Sequence, residues 1–499
     1  MRNFSKSQLL ALRQCPKRFW LEIHHPELRE DSSSTQMSFH IGHQVGDIAQ
    51  KIYDAQGLGA VIDVQREGFS AAFARTTELL GTQQPIFEAG FSAAGALAFA
   101  DVMLPVATPD QPAWRMVEVK STTRVKDYQR DDVAVQAFVA QSAGVALQAI
   151  AVAHIDSSWT YPGNGDYCGL LTEVDLTEEA FARTEEVKSW IAQARQTFAS
   201  PTEPVIETGA HCSEPYACGF YEHCSRDALA PEFPVYWLPR FGAARQQTLA
   251  DLGVNDLRHV PDEQLNAKQL RVKAHTLTNT VFFDAAGAAA DLAGQGFPAY
   301  FLDFETIGFA VPIWPGTRPY RQYTFQFSLH SLSESGQLDH TEFLDVSGGD
   351  PSEPLAQALL AACGTSGPVY AYNAGFEMAR IRELAQRHPL LSEALLAINE
   401  RVVDLLPIAR ERYYHPSQQG SWSLKKVLPA VVPALRYDEL DGVQDGGMAM
   451  DVFHEAIHPG TTTERKSQIA HQLRAYCQLD TYALVRLWQV FGGRTDLKL

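Results

Sequence analysis

The stretch Phe301-Leu-Asp303-Phe-Glu305-Thr306 sets two carboxylates two residues apart in an otherwise apolar run, and it constrains this chain more than any other feature. In a β-strand, residues i and i+2 project to the same face. Two acids held side by side repel, so the pattern fits either a divalent cation lying between them or a solvated strand end. Asp303 and Glu305 are therefore candidate metal ligands.

Downstream, Tyr370-Ala-Tyr372-Asn373-Ala-Gly-Phe376-Glu377 reads as a short strand, a turn at Asn373 and Gly375, and a helix through Met378, Ile381 and Leu384. Glu377 falls in its first turn. Near the C-terminus a helix over Leu473–Leu484 carries Tyr476 and Asp480 one turn apart on one face. The order Asp-x-Glu, Asn-x-x-Phe-acid, Tyr-x-x-x-Asp over residues 297–492 resembles the tyrosine-bearing branch of the DEDD 3′-to-5′ exonucleases. That resemblance implies a ribonuclease H-like α/β domain. Asp303, Glu305, Glu377 and Asp480 would hold two Mg²⁺ or Mn²⁺ ions, and Tyr476 would orient the attacking water. Relatives usually have Asp where this chain has Glu377, which lengthens that ligand by one methylene. Asp404, in Arg401-Val-Val-Asp404, falls where many relatives carry an acid and reads as a supporting or structural residue. Gly420-Ser-Trp-Ser-Leu-Lys-Lys-Val-Leu-Pro429 also resembles bacterial proteins with a C-terminal domain of this kind, and Lys425 and Lys426 are expected near phosphate.

A chain of 499 residues with 45% apolar content is expected to form two or more domains with sizeable cores. No apolar run reaches the length of a membrane span, and the basic, amphipathic N-terminus lacks the apolar stretch of a signal peptide. These features lead us to expect a soluble globular protein of the cytoplasm. The formal charge of −18 argues against nucleic-acid binding across the whole surface, while a small basic groove beside metal-binding acids stays compatible with it.

Seven cysteines in such a chain read better as metal or cluster ligands than as disulfides. Cys212, Cys218 and Cys224 are evenly spaced, and Cys15 stands far upstream. Cys168, Cys363 and Cys477 sit singly in apolar sequence and read as small buried hydrophobes. The N-terminal helix, capped by Ser5 or Ser7, leads into Cys15-Pro16-Lys-Arg-Phe-Trp20. This resembles the start of RecB-like nucleases, including the CRISPR-associated exonucleases, in which one early and three late cysteines bracket the nuclease fold. The resemblance implies a 4Fe–4S cluster on Cys15, Cys212, Cys218 and Cys224. A structural Zn²⁺ on the same thiolates, with His211 or His223, is the alternative.

Between those cysteines, Leu97-Ala-Phe-Ala-Asp101 and Trp114-Arg-Met-Val-Glu118-Val-Lys120 read as adjacent strands, with Glu118 and Lys120 on one face. An acid followed by Glu-x-Lys is similar to the PD-(D/E)XK nucleases. By that likeness Asp101 and Glu118 would bind metal, and Lys120 would position or deprotonate water and stabilise charge on the phosphate. Gln136 matches a glutamine of the RecB-like branch, while the tyrosine expected four residues later is Ala140. The upstream metal-binding histidine of relatives corresponds to Gly46, and His43 reads as structural.

The expected organisation is a RecB-like PD-(D/E)XK domain over 1–226 with an Fe–S cluster, a helical connector over 227–292, and a DEDD-type exonuclease over 293–499. Within the connector, Thr248-Leu-Ala-Asp-Leu-Gly253 resembles half of a helix-hairpin-helix, lacking the second glycine, and reads as a spacer. The expected activity is hydrolysis of DNA phosphodiesters with Mg²⁺ or Mn²⁺, on single strands or duplex ends, in repair or defence; RNA stays open as a substrate. Two alternatives stand: one working exonuclease site with the other domain an Fe–S clamp, or a redox-sensing nucleic-acid-binding protein without catalysis.

Overall fold

The computed structural model describes residues 2–107, 112–226 and 231–494. It is a mixed α/β protein of two compact units, Met1–Ala228 with Gly308–Arg321, and Leu229–Ile307 with Gln322–Leu499. The boundary expected at 226/227 lies against residues 227–230, outside the described residues. The remainder of the connector belongs with the second unit, and the segment 308–321 within the expected exonuclease domain packs with the first. Its membership rests on long-range contacts such as Tyr161 N–H to the Thr317 carbonyl at 2.9 Å, which no local pattern announces. No helix among the described residues is long and apolar enough to cross a membrane.

The first unit is built on a sheet of β1 (Phe4–Ser5), β2 (Ala60–Val61), β3 (Ile86–Ala93), β4 (Ala96–Val106), β5 (Ala113–Lys120), β6 (Leu147–Ile155) and β7 (Leu171–Asp175). The order is β2-β3-β4-β5-β6-β7, with β1 paired to the start of β4. Strands β3, β4 and β5 run antiparallel to one another, β2 runs parallel to β3, and β6 runs parallel to β5. A parallel neighbour needs a crossover, and the helix Asp127–Ser142 supplies it. Nearly all of that helix from Asp132 to Ala140 is buried, so its acid and amide side chains at Asp132 and Gln136 are carried into the interior. Alternation along β4 buries Ala98, Ala100 and Val102 on one face and turns Asp101 to the other.

The second unit contains β8 (Phe282–Phe283), β9 (Ala299–Ile307), β10 (Tyr323–Leu332), β11 (Leu338–Leu344), β12 (Val369–Ala371), β13 (Val402–Asp404) and β14 (Tyr413–Tyr414). Five of them form a sheet in the order β11-β10-β9-β12-β13, the first three antiparallel and the last two parallel. The long helix Thr463–Phe491 lies on β9 and β10, anchored by Gln326 donating to the Leu473 carbonyl at 3.0 Å and by the Ser328 and Thr481 hydroxyls at 2.7 Å. Those two bonds fix the helix in rotation and translation, which decides which of its side chains face β9. The connector forms its own small core around Val235, Leu238, Phe241, Leu249 and Leu257. Helix Ala243–Asp251 ends at Gly253, whose φ of 75° serves the turn, and a short 3₁₀ turn follows instead of a second hairpin helix.

Candidate active sites

In the second unit Asp303 and Glu305 point to one face of β9, as their spacing predicts, opposite Ser328 and Gln326 of β10. A register shift in β10 between Thr324 and Gln326 lies beside Glu305. Glu377 arrives through a tight turn: Asn373 takes a left-handed φ of 66°, and its N–H donates to Asp404 Oδ1 at 2.9 Å. The same carboxylate oxygen accepts from Leu406 N–H at 2.9 Å, so Asp404 caps the helix Leu405–Arg412 and fixes the turn that aims Glu377. Helix Thr463–Phe491 adds Tyr476, Cys477 and Asp480, all buried.

These groups converge. Asp303, Glu305 and Cys477 offer ligand atoms within 4.8 Å of one another. The Cys477 thiol faces Asp303 Oδ2 at 3.7 Å. The Tyr437 hydroxyl donates to Asp480 Oδ1 at 2.5 Å, and its ring centroid lies 6.1 Å from that of Tyr476. Lys425 Nζ stands 5.1 Å from the Tyr476 ring centroid and 5.6 Å from that of Tyr437. Lys426 instead reaches Gln419 at 3.4 Å.

Burial, reinforced by the neighbouring Asp480 charge, pushes Glu305 up to about 8 despite the opposing pull of Lys425. Burial likewise pushes Glu377 up to about 8, with Asp404 adding to it. Asp303 is driven well above the usual carboxylate range by burial and then by Asp480, Glu305 and Glu377. Burial lifts Asp480 to about 6, held there by the hydrogen bond from Tyr437 and the charge of Lys425. Glu377 Oε2 is buried without a hydrogen-bond partner. An orphaned carboxylate oxygen among four mutually repelling acids is the environment a hard divalent cation satisfies. Among the described residues, the ligand atoms that come within 4.8 Å of one another are those of Asp303, Glu305 and Cys477, a group that Glu377 and Asp480 do not join.

In the first unit, register places Glu88, Asp101 and Glu118 abreast on β3, β4 and β5. Asp101 Oδ2 accepts the Val119 N–H at 2.6 Å, and Glu88 sits at a φ of 58°. Lys120 contacts Glu118 at 2.5 Å and Asp132 at 2.7 Å. Lys6, at the start of the first helix, makes a second pair of bridges to the same acids at 2.8 and 2.9 Å. Gln136, fully buried, donates to Glu118 Oε2 at 2.5 Å and to Asp132 Oδ1 at 3.1 Å. Burial alone would raise Glu118, but Lys120 and Lys6 outweigh it and hold the carboxyl well below its ordinary range. Burial and the Glu118 charge lift Asp101 well above its own. Burial and the Glu118 charge raise the Glu88 carboxyl above its ordinary range, opposed by Lys6 and, least of all, by His43, expected to be structural.

Cys15, Cys212, Cys218 and Cys224 line one cavity with His211. All four are free thiols, and no three of them lie within 4.8 Å of one another. A single tetrahedral Zn²⁺ with Zn–S near 2.3 Å requires sulfurs about 4 Å apart. Of the three isolated cysteines, Cys363 is buried in an apolar core as expected. Cys168 is exposed, in a loop where Asp166 accepts its backbone N–H, and Cys477 touches a carboxylate. The expectation of burial fails for Cys168, which loop geometry exposes, and holds for Cys477, which helix phase nonetheless sets beside a carboxylate.

Sequence reasoning missed Lys6, Glu88, Asp132 and Tyr437. The first three are signalled only by sheet register and helix phase. Tyr437 comes from a 3₁₀ turn, 43 residues before its partner. Residues 300–423 are similar to a family described as a domain of unknown function, DUF2779, a stretch holding Asp303, Glu305 and Glu377 but neither Tyr476 nor Asp480. No curated protein matches the chain.

Proposed function

We propose that this protein is a metal-dependent nuclease that hydrolyses DNA phosphodiesters from single-stranded or duplex ends, with its principal site at Asp303, Glu305, Glu377 and Asp480. The observation that carries this reading is the cluster of three buried acids, Glu305, Glu377 and Asp480, with the half-buried Asp303, none of them in a salt bridge among the described residues and one oxygen of Glu377 orphaned. The sheet order β11-β10-β9-β12-β13, antiparallel then parallel, supports a ribonuclease H-like fold around it. Bound Mg²⁺ or Mn²⁺ would stabilise both the attacking and the leaving oxygen of the phosphodiester. Tyr437 holds Asp480 in one orientation, Asp404 holds the turn before Glu377, and Tyr476 presents its hydroxyl beside the acids for a water molecule. Lys425, stacked over both tyrosines, supplies positive charge for the phosphate.

The first unit supports a PD-(D/E)XK reading through its β3-β4-β5-β6 order with a buried crossover helix. There, however, Glu118 is already neutralised by two lysines. That double pairing favours the version in which this unit grips nucleic acid and the second unit cuts. The four cysteines would hold a 4Fe–4S cluster, whose sulfurs are spread more widely than those around one Zn²⁺. Degradation of single-stranded DNA by wild type, Asp303→Asn and Lys120→Ala, purified anaerobically and supplied with Mn²⁺, tests the reading. Loss of all cleavage in Asp303→Asn alone supports it, and unchanged cleavage in that variant overturns it.

A further inference from the structure

We infer that a basic cleft in the second unit binds the single-stranded nucleic-acid segment leading to the carboxylate centre, an assignment that rests on the nuclease reading. The cleft encloses about 980 Å³. Tyr236, Arg240 and Lys268 of the connector line it together with Tyr372, Asn373 and Arg410. Lys268 pairs with Glu411 at 2.5 Å, while neither Arg240 nor Arg410 has a carboxylate partner among the described residues. Three cations against one acid, in a chain of formal charge −18, reverse the sign of the whole molecule at this place. Local reversal of that kind is the electrostatic footprint of phosphate binding.

The walls are held in place independently of any ligand. Gln269 donates to the Pro239 carbonyl at 3.0 Å, and Arg271 donates to the Glu411 carbonyl at 2.7 Å. Gly420, at a φ of 76°, lets the Trp237 carbonyl approach so closely that any side chain there would collide with it. On this fixed wall Tyr236 keeps 67% of its surface exposed. An exposed ring in the same cleft as two arginines that have no ion pair among the described residues offers a stacking platform together with phosphate contacts, the combination that suits an unpaired strand. Base pairs in a duplex would leave the ring no free face to stack on. Among the residues lining the cleft is Asn373, whose N–H is tied to Asp404 and which opens the turn leading along the chain to Glu377, four residues on. A strand lying in it would therefore be led to the acids.

Anisotropy of a short fluorescein-labelled oligo(dT), titrated with the full protein in Ca²⁺ at several salt concentrations, tests the assignment. For Arg240→Ala/Arg410→Ala we expect at least tenfold weaker binding and a salt slope shallower by about 1.4, since each lost phosphate contact removes roughly 0.7 on a single strand. Tyr236→Ala should weaken binding roughly tenfold with the slope unchanged, as loss of one stacked base does. Wild-type affinity and slope in both variants would overturn the inference, as would equal binding of blunt duplex that is equally sensitive to them. Hydrolysis of bis(p-nitrophenyl) phosphate by the wild type with Mn²⁺ reports on the nuclease reading separately. If the ester is untouched while oligo(dT) binding still depends on the arginines, the nuclease reading falls and the cleft stands.

Discussion

The Tyr437 hydroxyl lies 2.5 Å from Asp480 Oδ1, buried, joining a short turn to the middle of the C-terminal helix. The bond leaves the second carboxylate oxygen of Asp480 for other partners and keeps the acid from rotating away from Asp303. Tyr437→Phe removes one hydrogen bond to a charged group, an interaction of about 1.5–3 kcal/mol. We expect kcat/KM for Mn²⁺-dependent DNA cleavage to fall roughly ten- to a hundredfold with the fold retained, as steady-state kinetics and circular dichroism will show. Unaltered kinetics would remove Tyr437 from the site.

The carboxylate cluster makes metal-free stability depend on pH. Burial, followed by neighbouring charge, sets Glu305 and Glu377 near 8 in the folded chain, against an ordinary 4.5. Between those values the folded state holds protons that the unfolded state has released. Stability therefore falls as pH rises through this window, by up to about 1.4 kcal/mol per pH unit for each group. Mn²⁺ displaces those protons. The rise in Tm on adding Mn²⁺ should be larger at pH 8 than at pH 6, and absent in Asp303→Asn/Asp480→Asn. A pH-independent rise would contradict the assignment.

Lys6 tests the first unit. It bridges Glu118 and Asp132 from an 18% exposed position while both acids are buried. Lys6→Met leaves those carboxylates with Lys120 alone and should cost about 3 kcal/mol in denaturant unfolding of this unit. Lys6→Arg, which keeps the charge, should recover part of that loss. A Lys6→Met protein as stable as wild type would show that the four-charge cluster contributes nothing net.

Much of the second site is legible in the sequence because its ligands sit on local periodicities. Period two puts Asp303 and Glu305 together, and a one-turn spacing puts Tyr476 and Asp480 together. The turn at Asn373 is likewise marked by residue type, since asparagine tolerates the left-handed conformation it adopts. Glu88 and Lys6 were hidden for the opposite reason. Nothing near Glu88 in sequence shows that register sets it opposite Asp101, and Lys6 reads as a surface lysine until helix packing turns it inward. The apolar run with alternating acids marks the strand β9, but the chain that leaves it at Gly308 joins the other unit, and no local signal encodes that excursion.

The cysteines make a spectroscopic prediction. Anaerobically purified protein should show the broad visible absorption of a 4Fe–4S cluster, lost on dithionite reduction and missing from Cys218→Ser. A colourless protein carrying one equivalent of Zn²⁺ would replace the cluster with the alternative ion.

The most direct test of the central claim is cleavage of single-stranded DNA labelled separately at its 5′ and 3′ ends, with Mn²⁺, by wild type, Asp303→Asn and Lys120→Ala. We expect wild type and Lys120→Ala to release the 3′ label first, as mononucleotide, and Asp303→Asn to release none. Undiminished release of label by Asp303→Asn would contradict the central claim.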